Sequence, residues 1–406
     1  MYIKRHIEDV VNRVRKTYPV TLVTGPRQVG KSTMLQNMYP DIKYETLDNP
    51  LLLQSIASDP VGYLKLQGFP FIIDEVQRLP ELFISLKYIV DTNKSKGMYF
   101  LSGSQKFELM RGVSESLAGR ISIIEMLGLS SREIYGDTFT LPFIPTMDYL
   151  TSRKSKIPAD GKMLWQRIHK GSMPKLYDDD NVEWERYYSD YVNTYIERDV
   201  QKLEQVGDTL AFLQFMTAIA SRTGELLNME SIAKDVGVSA PTIKKWISVL
   251  QKSNLIYLLQ PFSLNVSKRI IKTPKVYFTD TGLVAYLCKW LTPETLMNGA
   301  MAGGIFETYV ISEILKSYYN AGIEPSLYYY RDTNGAEVDL LVYRNGTLYP
   351  IEIKKTSSPN IKDIKHFKTM ADCYQSVNVG EGGVICTYEN LLPLGENNKI
   401  IPVNFI

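Results

Sequence analysis

The chain has 406 residues, 44% of them hydrophobic and 22% charged, with a net charge of +2; that length implies about two to four domains of a globular protein. The near-neutral balance excludes a global demand for an anionic partner, so any nucleic-acid surface has to be a local patch. Three scattered cysteines (Cys288, Cys373, Cys386) and three isolated histidines (His6, His169, His366) exclude a disulfide framework, a zinc ribbon and a histidine-ligated metal, and suit the cytoplasm, and no apolar run reaches the length of a membrane span.

In chain order, the opening stretch MYIKRHIEDVVNRVRK places Ile3, Ile7, Val10 and Val14 at helical spacing and carries Glu8 and Asp9. This predicts an amphipathic helix packed on the next domain, with no secretory signal. Val20 to Thr24 is an apolar, β-branched run and predicts a buried strand. It leads into GPRQVGKST, comprising Gly25, Pro26, Arg27, Gln28, Val29, Gly30, Lys31, Ser32 and Thr33, and then into a helix-compatible segment. Strand, glycine-rich loop and helix form the setting that the phosphate-binding pattern G-x-x-x-x-G-K-[ST] requires. Gly25 and Gly30 free the backbone to aim amides at phosphate oxygens, and the helix N-terminus adds its positive end. Lys31 then reaches the β- and γ-phosphates, and Ser32 offers a hydroxyl to Mg²⁺.

FPFIIDE, Phe69 to Glu75, is an apolar strand that ends in two acids. Strand ends of that kind lie on the ligand face of an α/β sheet. Asp74 is the candidate Mg²⁺ ligand, and Glu75 the candidate base for the attacking water. A third strand, MYFLSGS, ends in Ser102 and Ser104, either of which senses a γ-phosphate or simply forms a turn. Arg120 precedes the strand ISIIEML and either stabilises transition-state charge or makes a surface pair. No N-K-x-D pattern is present to read guanine, so adenine is the expected base.

LDNP (47–50), FIIDEVQRLPELFISLKYIVD (71–91), FLSGSQKFELM (100–110), SESLAGR (114–120), GSMPKLY (171–177), YIERDV (195–200) and PKVYFTDTGL (274–283) closely resemble a prokaryotic family of AAA+-like ATPases. Members of that family carry a C-terminal domain of unknown function. The resemblance implies Walker A and Walker B roles for Gly25 to Thr33 and for Asp74 with Glu75. It also implies a sensor role for Ser102 or Ser104, and an arginine-finger or sensor role for Arg120.

Residues 146–205 are expected to form a helical segment, with a polar linker or exposed loop at Thr151 to Gly161 and a mainly helical pattern from Met163 to Leu203. LLNMESIAKDVGVSAPTIKKWISVLQKSNLIYLL, Leu226 to Leu259, has a helix-turn-helix layout. Gly237 makes the turn, Ser239 caps the second helix, and Ile243, Ile247 and Leu250 form its apolar face. Lys244 and Lys245 on that helix, with Lys268, Arg269, Lys272 and Lys275 in the wing, are candidate phosphate contacts or simply a solvated basic face.

The stretch GAEVDLLVYRNGTLYPIEIKK, Gly335 to Lys355, reads as two strands joined by an Asn345-Gly346 turn. A two-residue turn sets Asp339 opposite Glu352, and Glu337 opposite Lys354. Like charges placed opposite each other destabilise a sheet unless a cation joins them. A bridging Mg²⁺ or Mn²⁺ is one resolution, with Lys354 beside it and Glu307 arriving from the helix of GIFETYVISEILKSYY. Ordinary cross-strand ion pairs are the other. Glu307, Asp339, Glu352 and Lys354 resemble the PD-(D/E)xK nuclease fold at its ligand positions, although Val338 stands where that pattern has its other residue.

The sequence thus predicts an α/β multidomain chain. Residues 1–145 form a P-loop ATPase domain with an AAA+-like parallel sheet, 146–205 a helical segment, 206–290 a winged helix and 291–406 a mixed α/β nuclease-like domain. The expected activity is hydrolysis of Mg²⁺-bound ATP coupled to DNA binding or processing. The alternative is a signalling or regulatory switch whose C-terminal domains bind protein and cut no DNA. No membrane contact is expected, and Arg120 acting in trans would require an oligomer.

Overall fold

The computed structural model describes residues 2–104, 117–195, 208–265 and 273–406. The N-terminal unit is a five-stranded, all-parallel sheet built from β1 (Val20–Thr24), β2 (Lys43–Thr46), β3 (Phe71–Asp74), β4 (Tyr99–Gly103) and β5 (Ile121–Glu125), in the order β2-β3-β4-β1-β5. Its two faces belong to separate apolar cores, one around Val23, Ile72 and Phe100, the other around Leu22, Ile73 and Leu101. Strands buried on both faces read as unbroken apolar runs, which is why VTLVT and FIID show no alternation. The first helix spans Glu8–Val14 and buries Val10 and Val11. It is shorter than the sequence period suggests, because residues 2–5 are not helical and run across the phosphate-binding loop.

The helix-turn-helix is formed by Met229–Val236 and Ala240–Lys252. Gly237 adopts left-handed φ 77° at the turn, and the Ser239 side chain accepts from the Thr242 amide. Ile243, Ile247 and Leu250 are buried, and Phe212 and Phe215 of a preceding helix, Thr209–Ala220, pack on Trp246. The strands that follow, β6 (Ile256–Pro261) and β7 (Lys275–Phe278), do not project as an independent wing. β6 pairs in parallel with β8 (Leu327–Arg331), so both join one nine-stranded sheet with the C-terminal strands. The boundary drawn at residues 290–291 therefore separates sequence segments and not sheets. Lys268, Arg269 and Lys272 lie outside the described residues.

The C-terminal hairpin has the predicted register. β9 (Glu337–Arg344) meets β10 (Thr347–Lys354) with Arg344 opposite Thr347 and Leu340 opposite Ile351, and Pro350 sits within the ladder. Asn345 (φ 51°) and Gly346 (φ 79°) both take the left-handed conformation of a two-residue turn. Strict alternation along β9 would put Val338 and Leu340 on one face, and the structure departs from it. Val338 packs with Leu341 and Leu348, whereas Leu340 packs with Ile351 and Ile353. The cause is a register shift between β9 and β8, where Tyr328 opposes Leu341 but Tyr330 opposes Val338. β9 has one extra residue there, so the bulge falls at Asp339–Leu340 and re-aims the Asp339 side chain.

One long helix, Ala302–Asn320, joins the two halves. Its Glu313 accepts from the Ser131 amide at 2.7 Å, its Tyr309 hydroxyl meets Ser131 Oγ at 2.8 Å, and its Ser317 accepts from the Phe143 amide at 3.0 Å.

Candidate nucleotide site and the C-terminal carboxylate cluster

The phosphate-binding loop sits at the C-terminal end of β1, as the strand–loop–helix reading requires. Gly25 has φ 146°, and a Cβ there would lie 1.9 Å from the Met126 carbonyl oxygen, so the loop closes only with glycine. Gly30, at φ 89°, caps the helix Lys31–Met38. Lys31 is buried, and its ammonium donates to the Gly25 and Pro26 carbonyls at 3.0 and 2.7 Å, curled over the concavity that would hold phosphate. A cavity of about 720 Å³ opens above this loop, lined by Gln28 to Thr33, Glu75 and Ser104.

Asp74 is buried at the end of β3, and two hydroxyls fix its carboxylate. Ser102 on the neighbouring β4 donates to one oxygen at 2.5 Å, and Tyr44 on β2 donates to the other at 2.8 Å. Ser102 thus positions Asp74, while Ser104 faces the cavity with a buried hydroxyl that has no partner among the described residues. Glu75 adopts φ 55° at the start of a 3₁₀ turn, a conformation that costs a non-glycine residue roughly 1 kcal/mol or more. Gln77 donates to its carboxylate. Burial, then the neighbouring Asp74, pushes the Glu75 pKa upward against the pull of Lys31 and Arg27, which moves it toward a useful base.

Arg120 is not part of this assembly. It precedes β5 at the end where Val20 pairs with Ile121, a strand length of roughly 13 Å from the loop. There it is half-buried and donates to Asp91 at 2.5 and 3.1 Å. A catalytic role for Arg120 within its own chain is therefore corrected; the surface-pair alternative describes the observed contact.

The sequence reading missed several residues of the site. Tyr44 carries no motif. Tyr2 and Ile3 line the cavity from the N-terminus, and Pro174 and Lys175 line it from the second unit. Arg5, only 2% exposed, donates to the Val29, Leu127 and Gly128 carbonyls at 2.9, 2.8 and 3.1 Å, and to Glu133 at 3.0 Å. Burial raises the Glu133 pKa, but Arg5, His6 and backbone amides outweigh it and hold this carboxyl below its usual range.

In the C-terminal unit the predicted acids do converge, but around lysines. Lys354 Nζ lies 3.0 Å from Asp339 and 2.8 Å from Glu352. Lys275, 4% exposed, reaches Glu337 at 2.6 Å, Glu307 at 3.3 Å and Asp339 at 3.9 Å. Tyr277 donates to Glu307 at 2.5 Å. Lys275 is therefore corrected from a candidate DNA contact to a buried ion-pair centre, because β7 belongs to the shared sheet and faces the 302–320 helix. Burial first, and then Asp339, raises Glu352 to about 9 and Glu307 to about 7. Asp339 moves down despite its burial, drawn by Lys354 and Lys275. Two ammonium groups already lie against these carboxylates. Among the described residues, no group of three or more His, Cys, Asp or Glu side chains is arranged to hold a metal. Also among them, no helix is long and apolar enough to cross a membrane.

Residues 17–135 match the family model described as AAA domain. Over those residues the N-terminal unit is similar to AAA-type P-loop domains. Residues 161–294 and 302–406 match two domains of unknown function, DUF8612 and DUF4143. An uncharacterized protein of Mycobacterium tuberculosis is 27% identical over 417 aligned positions, covering 100% of this chain and 85% of its own. One of Methanocaldococcus jannaschii is 20% identical, covering 80% and 74%. Among solved structures, a Walker-type ATPase of Pyrococcus abyssi superposes with a TM-score of 0.43 at 16% identity, over 70% of this chain and 96% of that one. A Signal Transduction ATPase with Numerous Domains from Pyrococcus horikoshii, which has a tetratricopeptide repeat sensor, gives 0.29 at 12%, over 79% and 47%.

Proposed function

We propose that this chain binds and hydrolyses Mg²⁺-bound ATP, and that nucleotide state is passed to its C-terminal units as a switch. The observation that carries this reading is the buried Asp74, held by Ser102 and Tyr44 and followed by the strained Glu75, beside the glycine-closed loop. In this reading the loop amides and Lys31 bind the polyphosphate. Ser32 and Asp74 are the residues that would hold Mg²⁺, whose charge offsets that of the phosphates. Glu75 orients a water and accepts its proton. Ser104 offers its unpaired hydroxyl to the terminal phosphate. Adenine is the proposed base, and Tyr2 and Ile3, which line the cavity, are the residues proposed to contact it. Titration of a fluorescent ATP analogue into parent and Lys31→Ala tests the reading. A loss of at least about tenfold in affinity is expected from losing a charged phosphate contact, and equal affinity and turnover would overturn it.

A second reading, contact with DNA, is supported by the exposed Lys244 and Lys245 on the second helix of the helix-turn-helix. It predicts duplex binding that weakens steeply with salt and falls in Lys244→Glu/Lys245→Glu. Salt-independent retention, or no change in that variant, would remove this surface from the account. The lysine-filled carboxylate cluster gives no support to metal-dependent cleavage, so cutting is not part of the proposal.

A further inference from the structure

A second cavity, of about 180 Å³, is separate from the nucleotide site and lies where the three units meet. Glu125 and Leu127 come from the end of β5, Asn254 and Ile256 from the end of the helix-turn-helix, and Leu315 and Glu324 from the 302–320 helix and the segment after it. Leu127, Ile256 and Leu315 are buried, Glu125 is half-buried and Glu324 is exposed. The cavity therefore combines apolar walls with an acidic edge that solvent reaches.

Two polar features set what such a cavity takes. The first is charge. The Tyr319 phenol is raised by burial and then by Glu125 and Glu324, so carboxylates from two units act on one hydroxyl. Tyr257, also in the lining, is raised by burial and then by Glu324. Both phenols stay protonated at neutral pH and add no charge of their own. Among the described residues that line the cavity, none is Lys, Arg or His. A carboxylate has about four acceptor positions, so each acid can take a donor from a ligand alongside its other contacts.

The second feature is an unused donor. Asn254 is 8% exposed, and its side-chain Nδ2 is buried with no partner among the described residues. Buried donors that persist in a fold normally meet a water or a ligand. The backbone of Asn254 is fixed at φ 57°, with its amide donating to the Gln251 carbonyl at 3.0 Å and its carbonyl accepting from the Thr279 hydroxyl at 2.7 Å. A bare metal ion or a plain amine answers the acids and leaves this donor unmet. An ammonium compound that also carries an oxygen answers both.

We propose that this cavity binds a small organic cation, an alkyl ammonium of a few carbons with a neutral hydroxyl or carbonyl oxygen. Glu125 and Glu324 take the ammonium, Asn254 donates to the oxygen, and Leu127, Ile256 and Leu315 pack on the carbons between. The position gives such a ligand a route into the rest of the chain. Glu125 stands opposite Thr24 in the sheet, and the carbonyl of the next residue, Met126, closes on Gly25 of the phosphate-binding loop. Glu324 belongs to the C-terminal unit, so one ligand held by both acids joins the two units. The site does not depend on the nucleotide reading.

The test is titration of the full chain without nucleotide, followed by saturation-transfer NMR, with three probes of equal heavy-atom count. These are 3-aminopropanol, butylamine, which lacks the oxygen, and propanediol, which lacks the charge. 3-Aminopropanol is expected to bind with a Kd on the order of 1 mM, an affinity within reach of so small a ligand. Butylamine is expected to bind several-fold more weakly, and propanediol at least about tenfold more weakly. Glu324→Gln, at an exposed position, is expected to weaken both amines about tenfold and to leave propanediol unchanged. Asn254→Gly keeps the positive φ without strain and is expected to abolish the preference for 3-aminopropanol over butylamine. That crossed pattern is not produced by lost stability, and Glu324→Gln stands alone as the test if Asn254→Gly does not fold. No binding of any probe, equal binding of all three, or parent-like binding in Glu324→Gln overturns the proposal. Displacement of 3-aminopropanol by millimolar MgCl₂ at constant ionic strength assigns the acids to a metal ion and overturns it as well.

Discussion

In the proposed reading, Glu75 separates binding from chemistry. Its backbone is fixed in the left-handed region and its carboxyl is raised by burial and by Asp74, two features that serve a base and do nothing for phosphate affinity. Glu75→Gln is expected to retain ATP affinity and lose turnover by about 10²–10⁴-fold, read by single-turnover hydrolysis beside nucleotide titration. Parallel loss of both would assign Glu75 to the fold of the loop. Tyr44 makes a complementary case. Its hydroxyl is one of two groups that orient Asp74, so Tyr44→Phe is expected to weaken Mg²⁺-dependent binding several-fold while Mg²⁺-free nucleotide binding stays put. Neither effect rests on a recognisable motif at Tyr44. The loop and the acid pair were legible because their spacing is local, within one strand, one turn and one helix start. Tyr44, Arg5 and Lys175 were not, because each reaches the site only through sheet order or through packing between units.

The hairpin of β9 and β10 shows the same division at the level of an element. Its turn and register followed from Asn345-Gly346 and from counting residues. The bulge at Asp339–Leu340 did not, because it is set by pairing with β8, a strand whose register the local sequence does not encode. Part of the cluster was also hidden. The cation between the opposed acids Asp339 and Glu352 is Lys354, two residues from Glu352, whereas Lys275, which joins Glu337, Glu307 and Asp339, arrives from β7. Glu352 adds a pH signature. Its carboxyl is raised to about 9, so it binds its proton more tightly folded than unfolded. The resulting stability is fully present below the ordinary carboxyl range and is lost as pH climbs toward that raised value. Asp339, held low, acts in the opposite sense and loses its contribution only in acid. Between about pH 6 and about pH 9, the parent is expected to lose on the order of 1–3 kcal/mol relative to Glu352→Gln, measured by urea unfolding. Parallel stability curves for the two proteins across that range would show that Glu352 is ionised throughout.

At the level of the whole molecule, the polar contacts between units form an unbroken run from the nucleotide loop to the carboxylate cluster. Val29 of the loop is bonded to Arg5, Arg5 to Glu133, and the Ser130–Ser131 turn beside Glu133 to Tyr309 and Glu313. Those two residues share the 302–320 helix with Glu307, which meets Lys275. The helix buries most of its length, so the C-terminal unit has no separate surface on which to unfold alone. The chain is therefore expected to melt in one cooperative transition. Saturating Mg²⁺–ATP should move that transition as a whole, by about 2.7 kcal/mol at a hundred times Kd. Arg5→Met tests the linkage directly, since it leaves Glu133 buried without its charge partner at a cost of about 3–5 kcal/mol. In that variant hydrogen exchange in 302–320 is expected to rise, and its response to nucleotide to shrink, even where binding persists. Two separate transitions in the parent, with only the first responding to ATP, would mean that the C-terminal units are passengers, and the switch reading would fail with the linkage.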